Sequence, residues 1–127
     1  MAKEISLHGR KQINTIRKEF NEAFSYLRLS LFPSDQRDEN RKIPFSGDQT
    51  LASVREVDNP GSISIHGRTL VKNIEKQFDD IYGLYAQVCY TEEDGKRRFS
   101  GSKMDQWSLS KMNKYGQGNG WQQNEFK

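Results

Sequence analysis

Apolar residues recur along this chain at two spacings, and each spacing occurs twice. Ile5 and Leu7 alternate with Ser6, as Ile63 and Ile65 alternate with Ser64, which is the period of a short half-buried strand. A longer period follows each. Ile13, Ile16, Phe20, Ala23 and Phe24 form one helical stripe, and Val71, Ile74, Phe78, Ile81 and Tyr82 form another. The opposite faces carry Arg17, Glu19 and Glu22, and Lys72, Glu75 and Asp79, so both segments are predicted to be amphipathic helices laid on a sheet. Alternation then returns at Leu27, Leu29 and Leu31, with Arg28 and Ser30 between them. Third strands are expected near Lys42–Phe45 and Arg97–Phe99, the latter behind a Glu93-Asp94-Gly95-Lys96 hairpin turn. In the first half a longer Pro33–Arg41 connection, acidic over Asp35–Asn40, replaces that turn. Short second helices are expected over Asp48–Glu56, with Leu51 and Val54 inward, and over Met104–Asn113, with Trp107 and Leu109 or Met112 inward.

The two patterns are copies of one unit. At an offset of 58, Ile5–Phe24 lies over Ile63–Tyr82 with His8/His66, Gly9/Gly67, Arg10/Arg68, Ile16/Ile74 and Phe20/Phe78 identical. Past the helix this offset would match Leu27, Leu29 and Leu31 to Tyr85, Gln87 and Cys89. A shift of one residue matches them to Leu84, Ala86 and Val88 instead. A strand slipped by one residue turns its core face to water, so the second copy lacks one residue at the helix end, where Gly83 suits a left-handed cap. Phe45-Ser46-Gly47 returns as Phe99-Ser100-Gly101 at an offset of 54.

The expected fold class is α+β: two tandem β-α-β-β-(α) repeats packed together as a pseudo-symmetric unit. They cover residues 1–58 and 59–116, meet at Asp58-Asn59-Pro60-Gly61, and precede a flexible glycine- and amide-rich tail, 117–127. A unit of roughly 60 residues buries only a marginal core alone, which favours packed copies over separate ones. Whether the strands share one sheet is left open by the pattern.

Composition narrows the class of protein. Hydrophobic residues make up 33% of the 127 and charged residues 29%, yet Phe 7, Tyr 5 and Trp 2 supply aromatic mass for a core. The net charge of +3 is weaker than the footprint of a dedicated DNA-binding domain. The single cysteine, Cys89, excludes an internal disulfide and a multi-cysteine metal site and fits a reducing compartment. No apolar run approaches the roughly 18 residues of a membrane span, and the start carries no signal-peptide apolar region. The expected setting is the cytoplasm, with no membrane contact, no cofactor and no metal.

Three chemistries compete for the conspicuous residues. His8, Gly9 and Arg10, and again His66, Gly67 and Arg68, stand at strand-to-helix junctions. Free N–H groups and partial positive charge at a helix start suit an anion or a partner's carboxylate. The simpler reading is a structural turn, in which glycine bends the chain and histidine bonds to the loop. Neither histidine belongs to a recognisable nucleophile, phosphate-loop or metal-ligand pattern, so no catalytic residue is assigned. The second chemistry is basic and aromatic. Lys96, Arg97 and Arg98 precede Phe99, and Lys103, Lys111, Lys114 and Tyr115 lead on to Trp121. Such interleaving stacks single-stranded bases and neutralises phosphates, although Glu92-Glu93-Asp94 opposes a polyanion. The third, and leading, expectation is a small non-catalytic cytoplasmic protein that binds another protein through sheet edges or the His-Gly-Arg surface. Single-stranded nucleic-acid binding is the alternative, and an enzymatic or anion-binding role for the paired turns is the second alternative.

The Ile5–Phe20 run, the Leu27-Arg28-Leu29 strand and Thr50-Leu51-Ala52-Ser53-Val54-Arg55 resemble small uncharacterised bacterial proteins with a strand-helix-strand core and a Thr-Leu-Ala helix. The likeness covers most of both copies, with Trp107-Ser108-Leu109 departing from the pattern. It implies the repeated βαββ(α) unit and carries over no activity, cofactor, partner or site residue.

Overall fold

Both sheets among the described residues pair a strand from the first half of the chain with strands from the second. The computed structural model describes residues 5–7, 9–34, 45, 47–57, 63–100 and 102–123. In chain order the elements are β1 (Ile5–Leu7), α1 (Ile13–Ala23), β2 (Arg28–Pro33), α2 (Leu51–Val54), β3 (Ile63–Ile65), α3 (Val71–Tyr82), β4 (Leu84–Thr91), β5 (Arg97–Phe99), a 3-10 turn at Ser102–Met104, and α4 (Leu109–Gly118). The class is α+β. β1 pairs with β3, and a second sheet runs in the order β2-β4-β5, antiparallel throughout. In the first sheet Ser6 stands opposite Ser64. In the second, Ser30 stands opposite Gln87. Each pair joins a residue of the first half of the chain to one of the second.

The end of α3 sets which side chains reach the core. Gly83 ends α3 in the left-handed region, at φ 65 and ψ 31, and its N–H donates to the Asp79 and Phe78 carbonyls. The chain therefore enters β4 with Leu84, Ala86 and Val88 inward, facing the same core as Leu29 and Leu31. Ile13, Ile16 and Phe20 of α1 and Val71, Ile74 and Phe78 of α3 close over them in one continuous cluster. Each such side chain, fully buried, contributes about 1.5–3 kcal/mol. The described residues before position 58 and after position 62 thus share both sheets and one core.

The far face of the second sheet departs from simple alternation. Arg28 and Ser30 would face water on a half-buried strand, yet Arg28, Ser30, Phe32, Tyr85, Gln87 and Cys89 are all buried. The Arg97 guanidinium lies over this face, its Nη2 3.2 Å from both Ser30 Oγ and Cys89 Sγ. The Gln87 amide donates to the Ser100 carbonyl and hydroxyl. Phe32 packs against Tyr85 and Phe99 at centroid distances of 5.6 and 6.2 Å. Cys89 is completely buried on this face.

Other expectations shift by a few residues. The second helices start where a hydroxyl can cap them. Thr50 Oγ1 accepts from Ser53 N–H, and Ser108 Oγ from Lys111 N–H. The helix expected over Asp48–Glu56 is therefore only Leu51–Val54, and the one expected over Met104–Asn113 is Leu109–Gly118, with Trp107 ahead of it. The Ser108-Leu109 step does in the second copy what Thr50-Leu51 does in the first. Phe45 N–H donates to Leu31 O (3.0 Å), as Ser100 N–H donates to Val88 O (2.8 Å). Counted from the corresponding strands, Phe45 thus takes the place of Ser100 and not of Phe99, one residue off the Phe-Ser-Gly match. The stretch from 117, expected to be flexible, is packed as far as Gln122: Trp121 is buried, and Gln122 N–H donates to Thr91 O at 2.9 Å. Residues 35–44, the linker 58–61 and residues 124–127 lie outside the described residues. No described helix is long and apolar enough to cross a membrane.

Two glycines should respond to alanine with opposite sign. At Gly83 a Cβ would meet Val57 Cγ2 at 2.7 Å in a left-handed backbone, so Gly83→Ala should cost about 1–3 kcal/mol. At Gly118 a Cβ meets nothing within 4 Å, and Gly118→Ala should stabilise by about 0.4–1 kcal/mol. Urea denaturation measures both. Alkali should act through Tyr82, whose buried phenol is pushed above its ordinary value of 10.0, with Arg55 partly opposing. The folded state holds this proton more tightly than the unfolded chain. Its stabilisation is complete below pH 10.0 and is lost as pH rises through the folded value. Tyr82→Phe should flatten the fall in stability above that pH, read from melting temperatures.

Candidate functional site

The His-Gly-Arg turns are tied into backbone exchanges between helix starts. Gly9 and Lys11 carbonyls accept from the first N–H groups of α2, Ala52 at 2.9 Å and Leu51 at 2.8 Å. In return, Ile13 and Asn14 of α1 donate to Gln49 O and Gly47 O. The second copy repeats this. Ser110 and Leu109 of α4 donate to Gly67 O and Thr69 O, while Val71 and Lys72 of α3 donate to Trp107 O and Asp105 O. Helix-start donors that would otherwise lack partners, and that an anion would use, here meet protein carbonyls. Gly9 sits at a close approach, where a Cβ would lie 3.0 Å from Ala52 Cβ.

The described histidine also works within its own turn. His66 Nδ1 accepts from Arg68 N–H at 3.3 Å, and His66 N–H donates to Thr69 Oγ1 at 3.1 Å. His8 lies outside the described residues. β1 and β3 run antiparallel, so the two turns leave opposite ends of their ribbon. Gly9 and Arg10 border an open concavity of about 800 Å³ with Thr50, Ala52 and Arg55. Among the described residues no group of three or more His, Cys, Asp or Glu could hold a metal ion.

The basic and aromatic candidates separate. Lys96 is exposed at the hairpin, where its N–H donates to Asp94 Oδ1. Arg97 and Arg98 are strand neighbours, so they point to opposite faces: Arg97 covers Ser30 and Cys89, and Arg98 pairs with Glu92. Lys103 and Lys114 are exposed. Lys111 Nζ sits 4.9 Å from the centroid of the Trp107 ring.

The aromatics, by contrast, assemble. Trp107, Tyr115, Trp121 and Tyr90 form a row with successive centroid distances of 5.1, 5.6 and 3.7 Å, and Trp121 and Tyr90 are stacked within 7° of parallel. Glycine makes room for it: a Cβ on Gly116 would come within 2.4 Å of the Trp121 ring. The Tyr90 phenol is raised from its ordinary value, first by burial and then by Glu92, with Arg98 partly opposing. It stays neutral through physiological pH. Beside the row opens a concavity of about 420 Å³, lined by Tyr90, Tyr115 and Trp121, by Met104 and Asn119, and by Glu92, Glu93 and Asp94. Tyr115 and Trp121 were marked by the sequence. Tyr90 reads as a strand residue and the three carboxylates as a turn. Only the fold-back of Trp121 and Gln122 onto β4 brings these groups together.

No protein-family model, curated protein or solved structure matches the chain.

The backbone exchanges predict which substitutions matter for stability. Thr50→Ala and Ser108→Ala should each cost about 0.5–2 kcal/mol, as lost N-caps do. His66→Ala, on an exposed side chain, should change stability by less than about 0.5 kcal/mol. Chemical denaturation of the three variants provides the comparison.

Proposed function

We propose that this protein is a small, non-catalytic binding protein that acts through contacts with another protein. The observation that carries the reading is the character of its surface aromatic cluster, where the concavity beside Tyr90, Tyr115 and Trp121 is rimmed by Glu92, Glu93 and Asp94. A single-stranded nucleic acid needs aromatic faces flanked by cations. Here the flank is acidic, Trp121 already stacks on Tyr90, Arg98 is paired with Glu92 and Arg97 is turned to the other face. A protein surface carrying basic side chains is the complementary partner. The engagement of His66 within its own turn supports a non-catalytic part for the motif. Cys89, free and buried, is in keeping with a cytoplasmic setting.

Affinity capture with the wild-type chain and with a Glu93→Lys/Asp94→Lys double variant tests the reading, alongside anisotropy with labelled single-stranded DNA and RNA at low and physiological salt. A partner protein should be recovered by the wild type and reduced about tenfold or more by the charge reversal. Oligonucleotides should bind neither tightly nor specifically. Tight, salt-sensitive oligonucleotide binding that the double variant strengthens would instead establish the nucleic-acid role.

A further inference from the structure

The concavity has a chemistry more specific than a general acidic surface. Three features coincide in it. The first is an aromatic wall, made by the stacked pair Tyr90 and Trp121 and by the half-exposed Tyr115, the ring with most surface open to a ligand. Aromatic faces attract cations through the ring quadrupole, and the row already does so internally, with Lys111 held over Trp107 at its far end. The second is negative charge left over after internal pairing. Glu92 is taken by Arg98. Asp94 accepts a backbone N–H from Lys96 and adds its field to that of Glu92 at Arg98. The third is a close approach of the backbone to the rim. Gly120 has φ 73, and a Cβ on it would stand 3.0 Å from Glu93 Oε2. The glycine lets the turn after α4 pass directly under Glu93.

These features separate one class of cation from another. A divalent metal needs several converging oxygen ligands, and no described group of three acidic or imidazole side chains offers them. An organic ammonium needs less directional contact: aromatic faces for its methyl or methylene groups and a nearby carboxylate for its charge. The volume of about 420 Å³ has room for such a head group and part of an alkyl chain.

We propose that the concavity lined by Tyr90, Tyr115 and Trp121, with Glu93 and Asp94 at its rim, binds an alkylammonium group. Two sources share this chemistry: a free quaternary ammonium compound, and a lysine side chain, methylated or not, on the partner protein. The inference rests on the same concavity as the proposed function and narrows what it recognises.

The test is an NMR titration of the full chain, following the Trp121 indole N–H, with choline and with its neutral isostere 3,3-dimethylbutanol at matched ionic strength. A second arm uses a peptide carrying trimethyl-lysine and the same peptide carrying norleucine. Each charged ligand should shift Trp121 saturably and bind about tenfold or more tighter than its neutral counterpart. Glu93→Gln and Tyr115→Ala should each weaken charged-ligand binding severalfold while leaving the fold intact by circular dichroism, and Tyr115→Phe should retain it. A peptide about tenfold tighter than choline assigns the site to a partner's side chain, and equal affinities assign it to a small molecule. Neutral isosteres binding as well as the cations, or affinities untouched by Glu93→Gln and Tyr115→Ala, would overturn the inference. If ammonium binding fails while the Glu93→Lys/Asp94→Lys variant still loses its partner, this inference falls alone. If that variant keeps its partner, the proposed function falls too.

Discussion

Antiparallel pairing of β2 with β4 is the constraint on which the rest of this structure depends. It joins a strand from each copy over six residue pairs, from Arg28 opposite Cys89 to Pro33 opposite Leu84. Pairing in this register places Leu29 and Leu31 beside Val88 and Ala86 on one face, where α1 and α3 cover them. A unit of this size alone would leave that apolar face half uncovered and the edge of β2 unpaired. The second half of the chain supplies the missing partner, β4. The shorter β1–β3 ribbon repeats the arrangement on a smaller scale.

The second organising interaction is local to each copy. Long and short helices begin side by side, and each satisfies the other's first N–H groups with carbonyls from the residues just before it. The isolated bridges Gln12–Thr50 and Leu70–Ser108 mark the crossing points. This accounts physically for a glycine in the His-Gly-Arg turn and for a hydroxyl residue at positions 50 and 108. The similarity of the two copies in these positions follows from backbone hydrogen bonding, and the difference between them is concentrated elsewhere. Tyr115 and Gly116 at the end of the second unit, with Gly120 and Trp121 of the tail, fold back onto β4 and build the aromatic concavity.

Periodicity made much of the fold legible. The period-two requirement alone put Leu84, Ala86 and Val88 on the core face, and all three join the cluster of Leu29 and Leu31. The helix stripes were equally plain, because Ile16/Ile74 and Phe20/Phe78 recur at the same spacing. Helix starts were harder to read. Trp107 suggested an apolar helical face, whereas the hydroxyl of Ser108 sets the first turn one residue later. The buried second face of the sheet was hidden because Arg28, Ser30 and Gln87 look like solvent-facing residues until Arg97 is folded across them. For the site, Tyr115 and Trp121 stood out by composition. Their joining with Tyr90 and Glu93 depends on a contact between distant segments, Gln122 with Thr91, that no local pattern encodes.

Because the concavity is assembled on β4 and the tail that pairs with it, its shape depends on the two copies behaving as one cooperative body. Native-state hydrogen exchange resolved at individual β2 and β4 amides measures this directly. Slowly exchanging amides of both strands should open with a common free energy, matching global unfolding to within about 0.5 kcal/mol. Amides of β2 exchanging through an opening several kcal/mol cheaper than that of β4 would show that the copies unfold separately, and would contradict a fold held together by their pairing.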